Sequence, residues 1–344
     1  MKNVVKKIKI FCPWWIKASV ARLKRTGIIL MYHRVSETEP DPWRLNVSPK
    51  NFDEHMRVIK KYGITVKMQE MRMGLSTFNP AHDTIAVTFD DGFADNYHHA
   101  KPTLEKYDVP ATFFIPSYAM ESRQEFWWDR LTRILTSQEL PKLFEMVINN
   151  TYIRWNIDSK SEVRFNFTDE LPPLGSILSK NQLFFFSWRL IRPLSFQGQE
   201  KAVEQIMSWA ALSSQPDPIH LPMTLDELRQ MANSRLFEIG GHTAHHALLS
   251  AWPVKAQEEE IRTGKQKLQN WLNKEITSFA YPYGDYSKDT PGIVKRLSFQ
   301  NACTIIEGPV KRGMDPFLLP RFMIFNWDGD KFEQKLQEWL TQRE

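Results

Sequence analysis

Two adjacent aspartates, Asp90 and Asp91, follow an apolar run and precede Gly92 in the segment TFDDG. Like charges side by side repel each other, so each carboxylate needs a partner. Neighbouring strand residues point to opposite faces, and two of them converge only where a strand ends and turns. Gly92 permits such a turn, because glycine accepts backbone angles that other residues avoid. We therefore expect paired carboxylates at the end of a strand.

Metal-ligating side chains occur in a second stretch, HTAHH, where His242 and His246 are four residues apart. Two imidazoles at this spacing on a helical turn share one face and can chelate one ion. One Asp added to them gives two nitrogens and one oxygen, with positions left open, as in catalytic rather than structural zinc sites. His245 is a competing ligand that spacing alone does not exclude.

Three segments together resemble the polysaccharide deacetylase family, also called carbohydrate esterase family 4: TFDDG (88–92), HTAHHA (242–247) and FAYPYG (279–284). The resemblance implies that Asp91, His242 and His246 bind one divalent metal, Zn²⁺ with Co²⁺ or Ni²⁺ as alternatives. It also implies that Asp90 is the general base. A metal in such a site polarises the acyl carbonyl and lowers the pKa of bound water toward ~7.

The same resemblance implies that the Tyr281 N–H helps to form an oxyanion hole and that Tyr283 lines the substrate groove. Many family members carry an arginine that orients the base, and this chain has Thr277 at that position. Arg321, in LLPRF, is the predicted substitute, because a guanidinium grips a carboxylate bidentately. A surface arginine is the alternative interpretation.

The segment LMYHRV (30–35) resembles the N-terminal motif of biofilm poly-N-acetylglucosamine deacetylases, whose barrel is circularly permuted. That resemblance implies that His33 protonates the leaving amine. No histidine follows His246 in this chain, whereas typical family members carry their acid near the C-terminus. A core histidine at a strand end is the alternative for His33.

Strand-like and helix-like segments alternate along most of the chain, which predicts a parallel α/β architecture. We predict a distorted (β/α) barrel from residues 27–119 and 223–344, in agreement with the resemblance. Residues 120–222 are rich in tryptophan and break the alternation, so we predict a mostly helical insertion there. The segment FWWD (126–129) lies within it and is interpreted as the mark of a subgroup linked to surface-polysaccharide synthesis.

The net charge of +5 is unevenly distributed, because residues 1–27 carry eight Lys or Arg and no acid. The rest of the chain is slightly acidic, which argues against nucleic acid as a partner. We predict that the basic arm, residues 1–26, lies on an anionic membrane surface, with a frayed terminal helix as the alternative. No signal-peptide pattern is found and the two cysteines form no framework, so we expect a cytoplasmic protein at the inner membrane face.

These features predict a metal-dependent hydrolase that removes an N-acetyl group from an amino sugar. A lipid-linked glycan precursor is a more natural substrate for a cytoplasmic enzyme than a finished surface polysaccharide. Two alternatives stay open: removal of another acyl group, formyl or O-acetyl, and a non-catalytic glycan-binding protein.

Overall fold

A computed structural model describes residues 27–71, 84–136, 140–161, 163, 176–213, 215–311 and 313–341. The basic arm lies outside these residues, so its structure is not part of the description. Among the helices described, none is both long and apolar enough to cross a membrane.

The core of the fold is a parallel sheet whose strand order is β12-β11-β10-β6-β5-β1-β13, with β4 beside the first half of β5. A parallel bridge between Cys303 and Leu319 brings the two ends of this order together. The sheet therefore curls into the distorted barrel that the sequence predicted. The strands are β1 (Gly27–Tyr32), β2 (Arg34–Val35), β3 (Asn46–Val47), β4 (Ile64–Val66), β5 (Thr84–Phe89), β6 (Ala111–Ile115), β7 (Leu143–Ile148), β8 (Thr151–Asp158), β9 (Ile177–Ser179), β10 (Phe237–Gly241), β11 (Ser278–Ala280), β12 (Asn301–Cys303) and β13 (Phe322–Met323).

Helices cover the outside of this sheet and shield strands that are buried along their length, as parallel strands generally are. The helices are α1 (Pro49–Tyr62), α2 (Lys101–Lys106), α3 (Ser117–Ser122), α4 (Trp127–Thr136), α5 (Lys180–Ile191), α6 (Phe196–Trp209), α7 (Leu225–Asn233), α8 (Val254–Leu272), α9 (Thr290–Arg296) and α10 (Gly329–Thr341). A single π-helical turn, Asn96–Ala100, leads into α2.

Local sequence signals fix several of these boundaries. Ser48 caps α1 by accepting a hydrogen bond from the Asn51 N–H, and the helix ends before Gly63. Thr224 and Glu227 form a reciprocal capping box at the start of α7. Both features need only residues that are close together in the chain.

The inserted segment contains α4, α5 and α6, and also a three-stranded sheet in the order β7-β8-β9. This sheet is absent from the predicted, mostly helical insertion. β7 and β8 form a hairpin whose two turn residues, Asn149 and Asn150, both have positive φ. Adjacent asparagines suit such two-residue turns, and β7 alternates buried and exposed side chains. The signal was therefore present in the sequence but was not recognised.

Candidate active site

The two aspartates lie where β5 ends, at the carboxyl end of the barrel strands, the face on which barrel enzymes place their chemistry. Asp91 and Gly92 both adopt φ of 72°. The left-handed turn that was expected at the glycine therefore begins one residue earlier. A non-glycine residue held there is strained by about 1–3 kcal/mol, which functional sites tolerate when the surroundings enforce it. The turn directs two neighbouring carboxylates toward one groove.

Asp90 forms a buried, bidentate ion pair with Arg321. Both distances, Nη1–Oδ1 and Nη2–Oδ2, are 2.8 Å, and the arginine is completely buried. Arg321 also donates to the Thr304 carbonyl and the Thr88 hydroxyl, which fix the plane of its guanidinium. Burial by itself raises the pKa of Asp90, but the charge and hydrogen bonds of Arg321 hold that pKa below its ordinary value. The surface-arginine alternative is thus wrong, and Arg321 orients a carboxylate that is ionised at neutral pH.

Asp91, His242 and His246 converge within 4.8 Å, each buried. The Asp91 Oδ1 lies 3.6 Å from His242 Nε2 and 3.2 Å from His246 Nε2. The Ala280 carbonyl, 2.7 Å from His242 Nδ1, can only accept, so the proton is on Nδ1 and the Nε2 lone pair faces the cluster. Burial lowers the pKa of His246, which is neutral at pH 7.

Three atoms that can bind a metal therefore converge on one point, and the Asp91 Oδ1 has no hydrogen-bond partner among the described residues. A buried carboxylate oxygen without a partner is costly, and a cation between the three atoms would satisfy it. Two imidazole nitrogens and one carboxylate oxygen are a donor set suited to Zn²⁺ and to the other late divalent metals. The residues present fit the divalent metal that the sequence predicted.

The two histidines do not lie on a helical turn, and this part of the prediction is wrong. The segment after β10 is an irregular turn in which Thr243 and His246 have φ of 64° and 57°. Left-handed residues at these positions bring both rings to one side of the turn. The i, i+4 spacing therefore predicted the two histidines that lie beside Asp91. The helical structure that this spacing implied is not observed.

Helix α8 supports this turn from outside. The Glu260 carboxylate accepts hydrogen bonds from the Ala244 and His245 N–H groups and lies 2.6 Å from His245 Nδ1. His245 thus points away from the cluster, although its spacing made it a competing ligand. One turn along α8, a Cβ on Gly264 would lie 2.5 Å from the Thr243 backbone, so only glycine allows this close approach.

His33 follows β1 and lines the same groove as Asp90 and Asp91, near enough for its charge to lower the pKa of each. Four other described histidines are engaged away from the groove: His55 with Tyr32 and the Trp327 carbonyl, His98 with Glu227, His99 with the Val35 carbonyl and His220 with Arg34. His82 lies outside the described residues. His33 is therefore the described histidine that reaches the site without belonging to the metal-ligating turn.

The segment YPYG requires a correction. The Tyr281 N–H donates to the Cys303 carbonyl at 3.2 Å, so it is already used in joining β11 to β12. Tyr283 is the second residue of a short 3₁₀ turn, Pro282–Gly284, and has φ of 58°. N–H groups in the first turn of a helix have no partner within that helix. Tyr283, rather than Tyr281, is the better source of an oxyanion-binding N–H. Both tyrosines line the groove.

The groove is open, with a cavity volume of about 380 Å³. Its aromatic wall was not predicted. Trp43 comes from the loop between β2 and β3, Trp128 from α4 and Trp188 from α5. Trp43 and Trp188 are 4.7 Å apart between ring centroids, and Trp128 lies 4.8 Å from the His246 ring. The tryptophan-rich composition of residues 120–222 was a usable sequence signal for this wall, since large aromatic faces suit apolar ring surfaces.

The segment FWWD also places an acid near the groove. Asp129 is mostly buried, and burial raises its pKa to about 8, although the nearby Arg34 opposes this rise. Its neighbour His220 has its pKa lowered to about 4 by burial. The 3.9 Å contact between the two is therefore a contact between neutral groups rather than an ion pair.

Comparison with known proteins agrees with this arrangement. Residues 78–139 and 202–302 match the family described as Polysaccharide deacetylase. A putative polysaccharide deacetylase of Bacillus subtilis (strain 168), YxkH, is 37% identical over 89 residues, which are 25% of this chain and 30% of that protein. The chain thus matches less than a third of the length of that curated relative.

Solved structures share the fold at low sequence identity. The deacetylase PplD of Streptococcus pyogenes is 20% identical with a TM-score of 0.58, covering 92% of this chain and 98% of that one. IcaB from Ammonifex degensii is 16% identical with a TM-score of 0.53, covering 92% and 97% of the two chains. A de-N-acetylase from Aggregatibacter actinomycetemcomitans is 15% identical with a TM-score of 0.53, covering 90% and 98%.

The parallel barrel and the matched segments resemble a polysaccharide deacetylase domain. The two matched segments together cover somewhat less than half of the chain. The family match continues to residue 139 and resumes at 202, so it includes FWWD and the two ends of the predicted insertion.

Proposed function

We propose that this chain removes an N-acetyl group from an amino sugar in a glycan, in a metal-dependent hydrolysis. The observation that carries the proposal is the meeting, in one groove, of three metal-ligating atoms, an ionised carboxylate and an uncommitted histidine. Asp91, His242 and His246 would hold the metal. Bound there, the metal supplies a Lewis acid for the acyl oxygen and makes water more acidic.

Asp90 takes the proton of the attacking water. Arg321 keeps this carboxylate ionised and fixes its direction, so that its free lone pairs face the groove rather than the barrel interior. A carboxylate with a lowered pKa is a weak base, and its contribution therefore depends on placement. General-base catalysis of this kind is worth about 10²- to 10⁴-fold in rate.

His33 donates a proton to the leaving amine, which is expelled slowly in its unprotonated form. Imidazole suits this task, because its ordinary pKa of ~6.5 lies near neutral pH. The Tyr283 N–H, at the edge of the groove, is the donor that we assign to the developing oxyanion. Aromatic rings on the groove wall would hold the sugar and exclude water from one side of the reacting group.

The test is acetate release from defined N-acetylated oligosaccharides and lipid-linked sugars, after loading the chain with Zn²⁺, Co²⁺ or Ni²⁺. Release that stops on chelation, returns with metal and is lost in Asp90→Asn supports the proposal. Formate release, or acetate release from O-acetyl esters alone, would establish the other acyl chemistry. Binding of these glycans without release of any acid would show a glycan-binding protein instead.

We also propose that the enzyme works at the inner membrane face on a lipid-linked glycan precursor of a surface polysaccharide. The eight unopposed cations of residues 1–27 support this location. Each adds about 1 kcal/mol of attraction near an anionic surface.

A further inference from the structure

Arg192 is a basic residue that the mechanism above leaves unused. It caps the C-terminal end of α5, in the inserted segment, and its side chain lines the groove. It is the only Lys or Arg among the described residues that line this cavity. The residues that we assign to metal binding and catalysis come from the barrel, whereas this positive charge comes from the insertion.

The guanidinium of Arg192 lies on aromatic rings and not on an acid. Its Cζ is 4.1 Å from the Trp188 ring centroid and 5.6 Å from that of Tyr283. No ion pair is found for it within the described chain, and its buried Nε has no hydrogen-bond partner there. Asp285, whose charge acts on the pKa of Arg192, accepts hydrogen bonds from the Ser250 N–H and hydroxyl. A half-buried cation on the groove lining is thus left without a charged partner among the described residues.

The other charges of the groove do not neutralise Arg192. Asp90 is paired with Arg321, and Asp91 belongs to the metal cluster. Glu307 is exposed on the groove lining and forms no ion pair with Arg192. Partial burial strengthens an electrostatic interaction relative to water, so this cation would favour a negative ligand strongly.

Arg192 is also close to the reacting centre. Its guanidinium lies over the Tyr283 ring, and the His246 ring also contacts that ring, at 4.4 Å between centroids. One aromatic ring therefore separates the cation from a metal ligand. A group held by Arg192 would belong to the reacting sugar itself or to the sugar next to it.

We propose that Arg192 binds a negative oxyanion group, phosphate or carboxylate, on the N-acetylated glycan that this site deacetylates. The inference rests on the proposed function and adds a substrate class: acidic or phosphate-linked amino sugars rather than neutral chains. The two Nη groups can donate to two oxygens of such a group, while the rings beneath hold the guanidinium plane.

The test measures binding without turnover, in the full-length, metal-loaded chain carrying Asp90→Asn. Three probes are compared through groove tryptophan fluorescence: a neutral N-acetylglucosamine disaccharide, the same disaccharide with a 1-phosphate, and one with a uronic acid as its second sugar. We expect an anionic probe to bind more tightly than the neutral one. The better of the two anionic probes identifies phosphate or carboxylate as the group that is recognised.

Arg192→Gln should reduce the anionic-to-neutral affinity ratio by roughly 10- to 100-fold, the worth of one charged hydrogen-bonded contact. Arg192→Lys should retain part of that ratio. Arg189→Gln is the matched control, because it removes the same charge from the last turn of the same helix without lining the groove. It should change the ratio by less than about threefold, as expected for a screened charge.

Equal affinity for all three probes would refute the proposed anion subsite. An anionic-to-neutral affinity ratio that is the same in Arg192→Gln and in its parent would also refute it. Acetate release from the chain with an intact Asp90, measured separately, tests the proposed function. Preference for an anionic probe without acetate release would support the subsite and refute deacetylation. Acetate release from both neutral and anionic probes, with no effect of Arg192→Gln on the anionic-to-neutral affinity ratio, would support deacetylation and refute the subsite.

Discussion

Removing Arg321 tests whether its ion pair with Asp90 is what keeps this buried carboxylate ionised. Arg321→Met removes the guanidinium but fills much of the same space, and it leaves a carboxylate that is only 3% exposed without its cation. Breaking a buried pair from one side costs about 3–5 kcal/mol of unfolding free energy. The measurement is urea unfolding at pH 7 with a chelator present, so that metal binding does not add to stability.

The pH dependence has a definite sign. In the parent chain the folded-state pKa of Asp90 is lowered. Its stabilisation is therefore fully present above the unfolded value of ~3.9 and is lost as the pH falls through the folded pKa. Without Arg321, burial raises the pKa of Asp90 above that unfolded value. The variant is then most destabilised near neutral pH, and its difference from the parent narrows as acid protonates the carboxylate.

Activity should follow the same shift. Since Asp90 acts only when ionised, the acid limb of kcat/KM against pH should move to higher pH in Arg321→Met. The double variant Asp90→Asn with Arg321→Met removes both charges and should regain part of the lost stability. A loss below about 1 kcal/mol, typical of an exposed pair, would refute the reasoning. So would a difference between parent and variant that does not change with pH.

Three further predictions concern the metal, the acid and the arm. His246→Ala should abolish both metal binding and activity, whereas His245→Ala should retain metal, as measured by metal content after dialysis; the opposite result would mean that the ligands are wrongly assigned. His33→Ala should keep metal and fold but lose amide hydrolysis more than hydrolysis of an activated ester, and equal losses would indicate a structural role. A chain without residues 1–26 should no longer sediment with anionic vesicles, and equal sedimentation of the two chains would refute membrane attachment.

The parts of the site that depend on residues close together in the chain could be predicted from the sequence. The position of the two aspartates at a strand end was predicted, and the cluster of Asp91, His242 and His246 was predicted from motifs only a few residues long. Such patterns specify both the local turn and the chemistry, so one sequence suffices to recognise them.

The parts that depend on distant residues were less accessible. Arg321 contacts Asp90 across 231 residues, and only the family resemblance suggested that the two were partners. The resemblance also assigned the oxyanion donor to Tyr281, whose N–H proves to be used between two strands. Which N–H is free depends on the register of neighbouring strands, and a short motif does not contain that information. The aromatic wall depends on how the insertion folds back over the barrel, for the same reason.

The contact between Gly264 and Thr243 has a consequence for the exchange kinetics of the metal. The turn bearing both histidine ligands is packed against α8 without an intervening side chain and is tied to the same helix by Glu260. Opening the turn would require this 19-residue helix to shift with it, which makes local unfolding a costly route for ion release. Ions should therefore enter and leave through the groove, along the path that the glycan occupies. A bound substrate would then slow metal loss, and metal exchange should be fastest between catalytic cycles.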